Sequence, residues 1–447
     1  MSRTMKDSGI PWIGEIPEGW IPKKLKFSCK LFGRIGFRGY TADDLVDESA
    51  GAITLSPTNM DGIRLDFTKC SYLSWDKYFE SPEIMVEKGD VLLVKTASVG
   101  KCVYVDYLPK ETTVNPQILV LKEHKDCSKF IAYIFQTTLG DAYIDTTKGG
   151  STIYTISQEK IGNYEFAFPP LAEQHLIATF LDKKCSEIDS LIDLQEQMIE
   201  ELKAYKQSVI TEAVTKGIRN EELGVRNYKD SGIEWIGDVP EEWEVHPFKA
   251  YYKTTKGLNI TKENLVERGI PVISYGQIHS KLNTGTSICD ALIRYVPETY
   301  LESNPECLSK KYDIFFADTS EDVEGAGNIA FVDTDTPIFA GYHTIIARPK
   351  KEVKTKYFAY LAKTDAWRTQ IRNSLSGVKV FSISQKLINR VCIIIPPLAE
   401  QQAIADYLDK KCGEIDELIT IKQQKIDSLK EYKKSVIYEY VTGKREV

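Results

Sequence analysis

The chain has few histidines, no paired-cysteine motif and no long apolar run, and each shortage excludes a class of protein. Of its 447 residues five are histidine, none at metal-ligand spacing, so a histidine-based metal centre is not expected. The nine cysteines are scattered without a Cys-x-x-Cys pair. That argues against a zinc ribbon or a disulfide framework and suits a reducing cytosol, with the thiols acting as small buried apolar groups. No apolar stretch is long enough to span a bilayer. Met1 to Lys6 lead into no apolar segment, so no secretory signal is expected, and the cytoplasm is the expected compartment.

Catalytic motifs are lacking as well. Ser98-Val99-Gly100-Lys101 ends like a phosphate loop but has neither the first glycine nor the final hydroxyl residue, so a strand turn is the reading. Asn115-Pro116-Gln117 lacks the second proline and the aromatic of an amino-methyltransferase motif. No glycine-rich dinucleotide or S-adenosylmethionine fingerprint follows a predicted strand. Glu321-Asp322 and the Asp333/Asp335 pair read as solvated turns. No catalytic residue, cofactor site or metal site is expected in this chain.

What is present is a soluble globular composition, 42% hydrophobic and 27% charged, in a length that allows two or three domains. The net charge of −7 runs against a nucleic-acid partner, but distribution matters more than the total. Residues 1–168 sum to roughly −2 and residues 228–395 to roughly 0, so the surplus acid lies mostly between them. A DNA contact would then use local basic clusters or a partner protein. A scaffold without DNA specificity is the competing expectation.

The chain repeats itself. Asp7-Ser8-Gly9-Ile10-Pro11-Trp12-Ile13-Gly14 returns as Asp230-Ser231-Gly232-Ile233-Glu234-Trp235-Ile236-Gly237. Pro169-Pro170-Leu171-Ala172-Glu173-Gln174 returns as Pro396-Pro397-Leu398-Ala399-Glu400-Gln401, and Leu181 to Cys185 as Leu408 to Cys412. The period is far beyond the roughly 20–50 residues of solenoids, so this is domain duplication. Four segments follow: globular parts 1–168 and 228–395, helical parts 169–227 and 396–447.

Each globular part mixes short apolar runs, such as Val91 to Val94 and Ile393 to Ile395, with Gly, Asn, Asp and Pro breaks. That pattern predicts strands and turns, with a helix near Phe130 to Phe135 and Tyr357 to Leu361, hence an α+β class. Each helical part opens on a proline pair with a glutamate in the first turn. Ile188, Ile192, Ile199, Leu202 and Val209 then follow at three- and four-residue steps, matched by Ile415, Ile419, Ile426, Leu429 and Val436. Such a narrow seam wants another helix against it. Tyr205 and Tyr432 flank it, Gln195 and Lys422 interrupt it, and Gly217 and Gly443 can end the helices in a left-handed cap. If the two helices pair they are expected to run antiparallel, as a pseudo-two-fold coiled coil of up to roughly 65 Å holding the globular parts apart. Two separate amphipathic helices, each on its own domain, are the alternative.

On these residues the chain resembles the specificity subunit of type I restriction–modification systems. The Pro-Pro-Leu-x-Glu-Gln helix start, occurring twice, and the Trp-Ile-Gly-x-x-Pro-x-x-Trp segments, Trp12 to Trp20 and Trp235 to Trp243, carry the resemblance. Gly33 to Tyr40, Gly89 to Leu93, Val114 to Gln117, Asp313 to Ser320 and Tyr342 to Thr344 are similar to the family's target-recognition domains. The resemblance implies that each globular part reads one half of a bipartite double-stranded DNA site. It also implies that the helices space the two and dock two modification subunits, which motor–nuclease restriction subunits join. S-adenosylmethionine, ATP and magnesium would then belong to those partners.

Base edges are read by bidentate Arg, Lys, Asn and Gln, and phosphates are held by Lys, Arg and hydroxyls. Loops rich in such residues are the candidate contacts. The first copy offers Arg34, Arg38, Tyr40, Asn59, Lys95, Thr96, Ser98, Lys148 and Ser151. The second offers Lys253, Lys256, Asn259, Tyr275, Gln277, His279, Thr319, Ser320, Tyr342, His343 and Lys379. The two sets differ, so the expected target has unlike halves.

Overall fold

The structure, a computed structural model, describes residues 3–34, 36–62, 64–137, 155–218, 226–375 and 380–447. It divides into two compact units, Met1–Glu196 with Gln423–Val447, and Gln197–Lys422. The division cuts both long helices near their middles rather than falling at their ends.

In the first unit the strands are β1 (Lys30–Gly33), β2 (Gly51–Leu55), β3 (Ser71–Ser74), β4 (Val91–Val94), β5 (Cys102–Tyr104), β6 (Thr112–Val114) and β7 (Ile118–Lys122). Helix α1 (Ser128–Phe135) follows, then the long α2 (Leu171–Lys216). One antiparallel sheet has the order β5-β4-β7-β1. A second runs β6-β2-β3, with β6 parallel to β2 and the short strand Leu45–Val46 at its edge.

The second unit holds β8 (Tyr252–Lys256), β9 (Ile270–Ile273), β10 (Arg294–Val296), β11 (Ile314–Ala317), β12 (Ile329–Phe331), β13 (Phe339–Ala340) and β14 (Thr344–Pro349). It also holds α3 (Thr355–Leu361), a helix over Asp365–Arg372 and the first half of the long α4 (Leu398–Val441). Its sheets are β12-β11-β14-β8 and β13-β9-β10, with β13 parallel to β9. The order and sense of the strands repeat those of the first unit, although the sequences between the motifs scarcely match.

The central strands read as unbroken apolar runs because both their faces are covered. Val91 and Leu93 point into one core cluster with Trp20 and Phe130, while Leu92 and Val94 point into another with Ile53 and Val120. Ile314 and Phe316 separate from Phe315 and Ala317 in the same period-two way. Each fully buried Val, Leu, Ile or Phe among them contributes about 1.5–3 kcal/mol.

The repeated motifs are structural joints. The Trp20 indole donates to Glu173 at 3.3 Å, and the Trp243 indole to Glu400 at 2.9 Å. The Gln174 amide is buried, donating to Pro169 O at 2.9 Å and accepting from Cys127 N, one residue before α1, at 2.8 Å. Gln401 repeats this with Pro396 O at 2.7 Å and Lys354 N at 2.9 Å. Tyr133 donates to Asp182 at 2.8 Å and Tyr360 to Asp409 at 2.7 Å, fastening α1 and α3 to the long helices.

Each unit packs the first half of its own long helix against the last half of the other. In the first, Phe180 meets Tyr440 with ring centroids 4.5 Å apart, and Asp189 pairs with Lys433 at 2.6 Å. In the second, Lys206 pairs with Asp416 at 2.6 Å and Lys422 reaches Met198 Sδ at 3.3 Å. Numbers rise on one helix as they fall on the other, so the pairing is antiparallel. Ile188, Ile192, Ile199, Val209, Ile415, Ile426 and Val436 are buried, and Leu202, Ile419 and Leu429 half-buried. The helix ends are core: Val436, Ile437, Tyr440 and Val441 join the first unit's cluster, and Val209, Ile210, Ala213 and Val214 the second's. Gly217 at φ +87° and Gly443 at φ +71° close the helices in the left-handed region, against Trp243 and Trp20 respectively. Separate helices, each packed only on its own copy, are therefore not what forms.

Candidate nucleic-acid interface

In each unit three connectors meet at one end of the sheets, and the strand pattern dictates why. Parallel neighbours end together, so the residue after β6 meets the end of β2: Asn115 N donates to Leu55 O at 2.8 Å. Gly341 N donates to Ile273 O at 2.7 Å in the second unit. Antiparallel neighbours bring an end to a start, so the exit of β4 meets the entrance of β7: Lys95 N donates to Gln117 O at 2.8 Å. Asp318 N donates to His343 O at 3.1 Å in the same place. A later segment covers this exit, through Ile156 N to Lys95 O at 2.9 Å and Ile383 N to Asp318 O at 2.7 Å. The connectors are thus equivalent, while their side chains differ.

The first connector is a capping box in both units. Ser56 N donates to Asn59 Oδ1 at 2.9 Å, and Ser274 N to Gln277 Oε1 at 3.1 Å. Asn59 also donates to Asp66 O at 3.1 Å and Lys69 O at 2.9 Å, and is buried. The expectation of a base-reading amide in a solvated loop is corrected here: Asn59 is committed to the turn. Ser320 is likewise buried, donating to Asp322 O at 2.7 Å.

Arg34 is corrected in the same sense. It is buried, with Nη2 3.3 Å from Thr113 Oγ1, Nη1 3.3 Å from Arg38 O and its guanidinium 5.2 Å from the Tyr40 ring centroid. Burial pulls its pKa down, against the upward pull of Tyr40, Glu80 and Glu83. Arg38 pairs with Glu83 at 3.5 Å, and the Tyr40 hydroxyl lies 3.4 Å from Thr54 Oγ1. Lys95 is half-buried at the second connector, and burial lowers its pKa. Thr96 accepts from Thr155 at 3.3 Å, Ser98 is exposed, and Ala97 between them has φ +65°. Lys148, Ser151 and Lys379 lie outside the described residues.

The second unit gathers Tyr275, His279, Thr319, Tyr342 and His343. The Tyr275 ring centroid lies 5.6 Å from Tyr342, 5.4 Å from His343 and 6.3 Å from His279. Burial, then Tyr275, raises the Tyr342 pKa. His279 is held at both nitrogens, Nε2 2.8 Å from Thr319 O and Nδ1 3.2 Å from Asn328 Nδ2. Arg368 donates to the Asn328 oxygen at 2.8 Å. Lys253, Lys256 and Asn259 are exposed, the two lysines on β8 at its sheet's edge. Asp318, Asn328, Asn115 and Gln117, not among the candidate contacts named from the sequence, stand beside them in the structure. Their signal is positional, each lying one residue outside a strand: Asn115 and Asp318 just after one, Gln117 and Asn328 just before one. The spacing between equivalent residues drifts along the chain, so a fixed offset does not align them.

A duplicated α+β fold, each unit with an antiparallel helix pair and with unlike polar residues at equivalent connectors, is the class that the structure defines. The chain belongs to the type I restriction modification DNA specificity domain family, which it matches over residues 77–204 and 240–431. It is similar to the type I restriction enzyme MjaVIII specificity subunit of Methanocaldococcus jannaschii, 24% identical over 87% of this chain and 84% of the relative. The putative MjaX specificity subunit of the same organism is 25% identical over 97% and 96%. Among solved structures, a chain from a study of complex assembly and conformational transition of the type I R-M system aligns with TM-score 0.69. It is 14% identical, over 95% of this chain and 98% of that one. The HsdS subunit from Thermoanaerobacter tengcongensis gives 0.53 at 13% identity, over 96% and 98%. The last two likenesses concern the fold.

Proposed function

We propose that this chain is the non-catalytic DNA-recognition subunit of a type I restriction–modification enzyme, each unit reading one half of a bipartite, asymmetric target. The observation that carries this is the pair of equivalent connector sets with different chemistry, Lys95 and Gln117 in one, Asp318 and His343 in the other. A common frame with substituted side chains is what two readers of unlike half-sites require, since phosphate contacts position and base contacts specify. The antiparallel helices set the gap and dock two modification subunits, with restriction subunits joining them in the cytoplasm. S-adenosylmethionine, ATP and magnesium are bound by those partners. The −7 charge fits DNA binding that depends on the assembly.

The test is methylation mapping in cells that carry this chain with its modification partner. The expected result is one motif of two unlike halves around a fixed gap. A single continuous motif, or methylation indifferent to sequence, would overturn the reading.

A further inference from the structure

Two described non-glycine residues of the second unit, Tyr312 and His343, have φ in the left-handed region, and of the two His343 stands at the connectors. Its backbone has φ +53°, in the left-handed region that a non-glycine residue rarely adopts. Such strain persists where surrounding structure imposes it and clusters at functional positions. Here the strand order imposes it, because His343 ends the tight passage from β13 to β14. Gly341, two residues earlier, passes so close to Ser274 that a Cβ would lie 2.1 Å from its hydroxyl. The strained residue is also an exposed one, its side chain 57% accessible.

The ring is exposed yet held. Nδ1 lies 3.1 Å from Asp318 Oδ1, and Thr319 Oγ1 donates to that same carboxylate oxygen at 2.7 Å. Tyr275 and Tyr342 stand edge-on to the imidazole, at interplanar angles of 77° and 79°. A carboxylate only accepts hydrogen bonds, so it keeps the proton on Nδ1. In the neutral ring Nε2 is then the acceptor, a tautomer set by the partner of the other nitrogen. His279 has no such freedom, both its nitrogens being engaged within the fold.

We infer that His343 is a specificity-determining residue of the second unit, accepting a hydrogen bond at Nε2 from the exocyclic amino group of an adenine or cytosine. Asp318 is its positioning residue and makes no base contact. The inference rests on the DNA-reading function proposed above. An acceptor in this place discriminates because those amino groups are the major-groove donors, whereas guanine and thymine present O6, N7 and O4 acceptors there. The equivalent residue of the first unit, Gln117, has its Oε1 engaged by Asn115 Nδ2 at 3.0 Å, which leaves its Nε2 donor for a base. The two equivalent positions therefore offer opposite polarity, an asymmetry expected of unlike half-sites.

The experiment maps methylation in cells carrying the modification partner and the full chain as wild type, His343→Gly, Asp318→Asn or the double variant. Glycine suits the left-handed φ, and asparagine matches aspartate in shape, so neither substitution opposes the fold. The expected result is relaxation at one base pair of one half-site, its discrimination falling about tenfold, the scale of one hydrogen bond. The other half-site stays unchanged, and the double variant relaxes no further than His343→Gly alone, because a positioning residue acts only through its partner. A wild-type bipartite motif that both single variants leave intact would overturn the assignment of His343 alone. So would changes in both halves, further relaxation in the double variant, or loss of all methylation in both single variants. A wild type without a bipartite motif would overturn the function proposed above, and this inference with it.

Discussion

Arg226 Nη1 lies 2.6 Å from Glu400 Oε1, joining the residue that leads into the second copy to the first turn of the last helix. A second bond of 3.0 Å makes the contact bidentate, and the guanidinium lies 5.3 Å from the Trp243 ring centroid. Arg3, Glu173 and Trp20 repeat the arrangement in the first unit. The bond to Glu400, against the cost of partial burial, raises the Arg226 pKa. Arg226→Ala should lower stability by about 1–2 kcal/mol, a value discounted for the partial exposure of both groups. Urea unfolding of the full chain, followed by the fluorescence of its six tryptophans, reads it. An unchanged midpoint would show the joint to be passive.

Asn59 separates a structural amide from a reading one. Asn59→Ala removes the partner of three partly buried backbone groups, Ser56 N, Asp66 O and Lys69 O, and stability should fall by about 1–2 kcal/mol. The mapped DNA motif should stay as in wild type. A relaxed base in that motif would return Asn59 to the reading surface.

Asp126 gives the fold an acid limit. Burial pushes its pKa up, but hydrogen bonds from Lys23 and Gln174, with the Lys23 charge, outweigh this and leave it lowered. A carboxyl with a lowered folded pKa contributes stability that is present above its unfolded value of about 4. That contribution is lost as pH falls through the folded value. Asp126→Asn should therefore be less stable than wild type near neutrality, with the difference closing below about pH 4. Denaturant midpoints across pH 3 to 7 check this, and a difference independent of pH would contradict it.

The seam makes a positional prediction. Ile415 is 2% exposed and Leu418, one turn on, is 47% exposed. Ile415→Asp would bury an unpaired carboxylate and should cost about 3 kcal/mol or more. Leu418→Asp should stay within about 0.5 kcal/mol. Thermal unfolding of the two variants distinguishes a packed seam from a solvated one.

The faithful repeats were legible because they are joints. Trp20, Glu173 and Gln174 have fixed partners, and so have Trp243, Glu400 and Gln401, so the sequence around them could not drift. The heptad spacing of Ile188 to Val209 predicted the helices and their buried seam, while their antiparallel sense is seen from the cross-helix pairs Asp189–Lys433 and Lys206–Asp416. The spacing did not reveal that each helix end belongs to the other copy's core, because an apolar period names a buried face and not its partner. The common sheet order was hidden, since different apolar residues fill equivalent strands. Arg34, Asn59 and Ser320 misled because a polar residue at or beside a strand end suits a tight turn as well as a contact loop. Asp318 and Gln117 lie in segments that carry the resemblance but are not among the candidate contacts, because their placement depends on which strand ends meet.

The central claim is that each unit reads its own half of the target. Its most direct test exchanges residues 1–168 for the corresponding segment of a relative with a different mapped target, then maps methylation with the modification partner present. The account predicts that one half of the motif changes to the relative's bases while the other half and the gap stay fixed. Changes in both halves, or in neither, would contradict it.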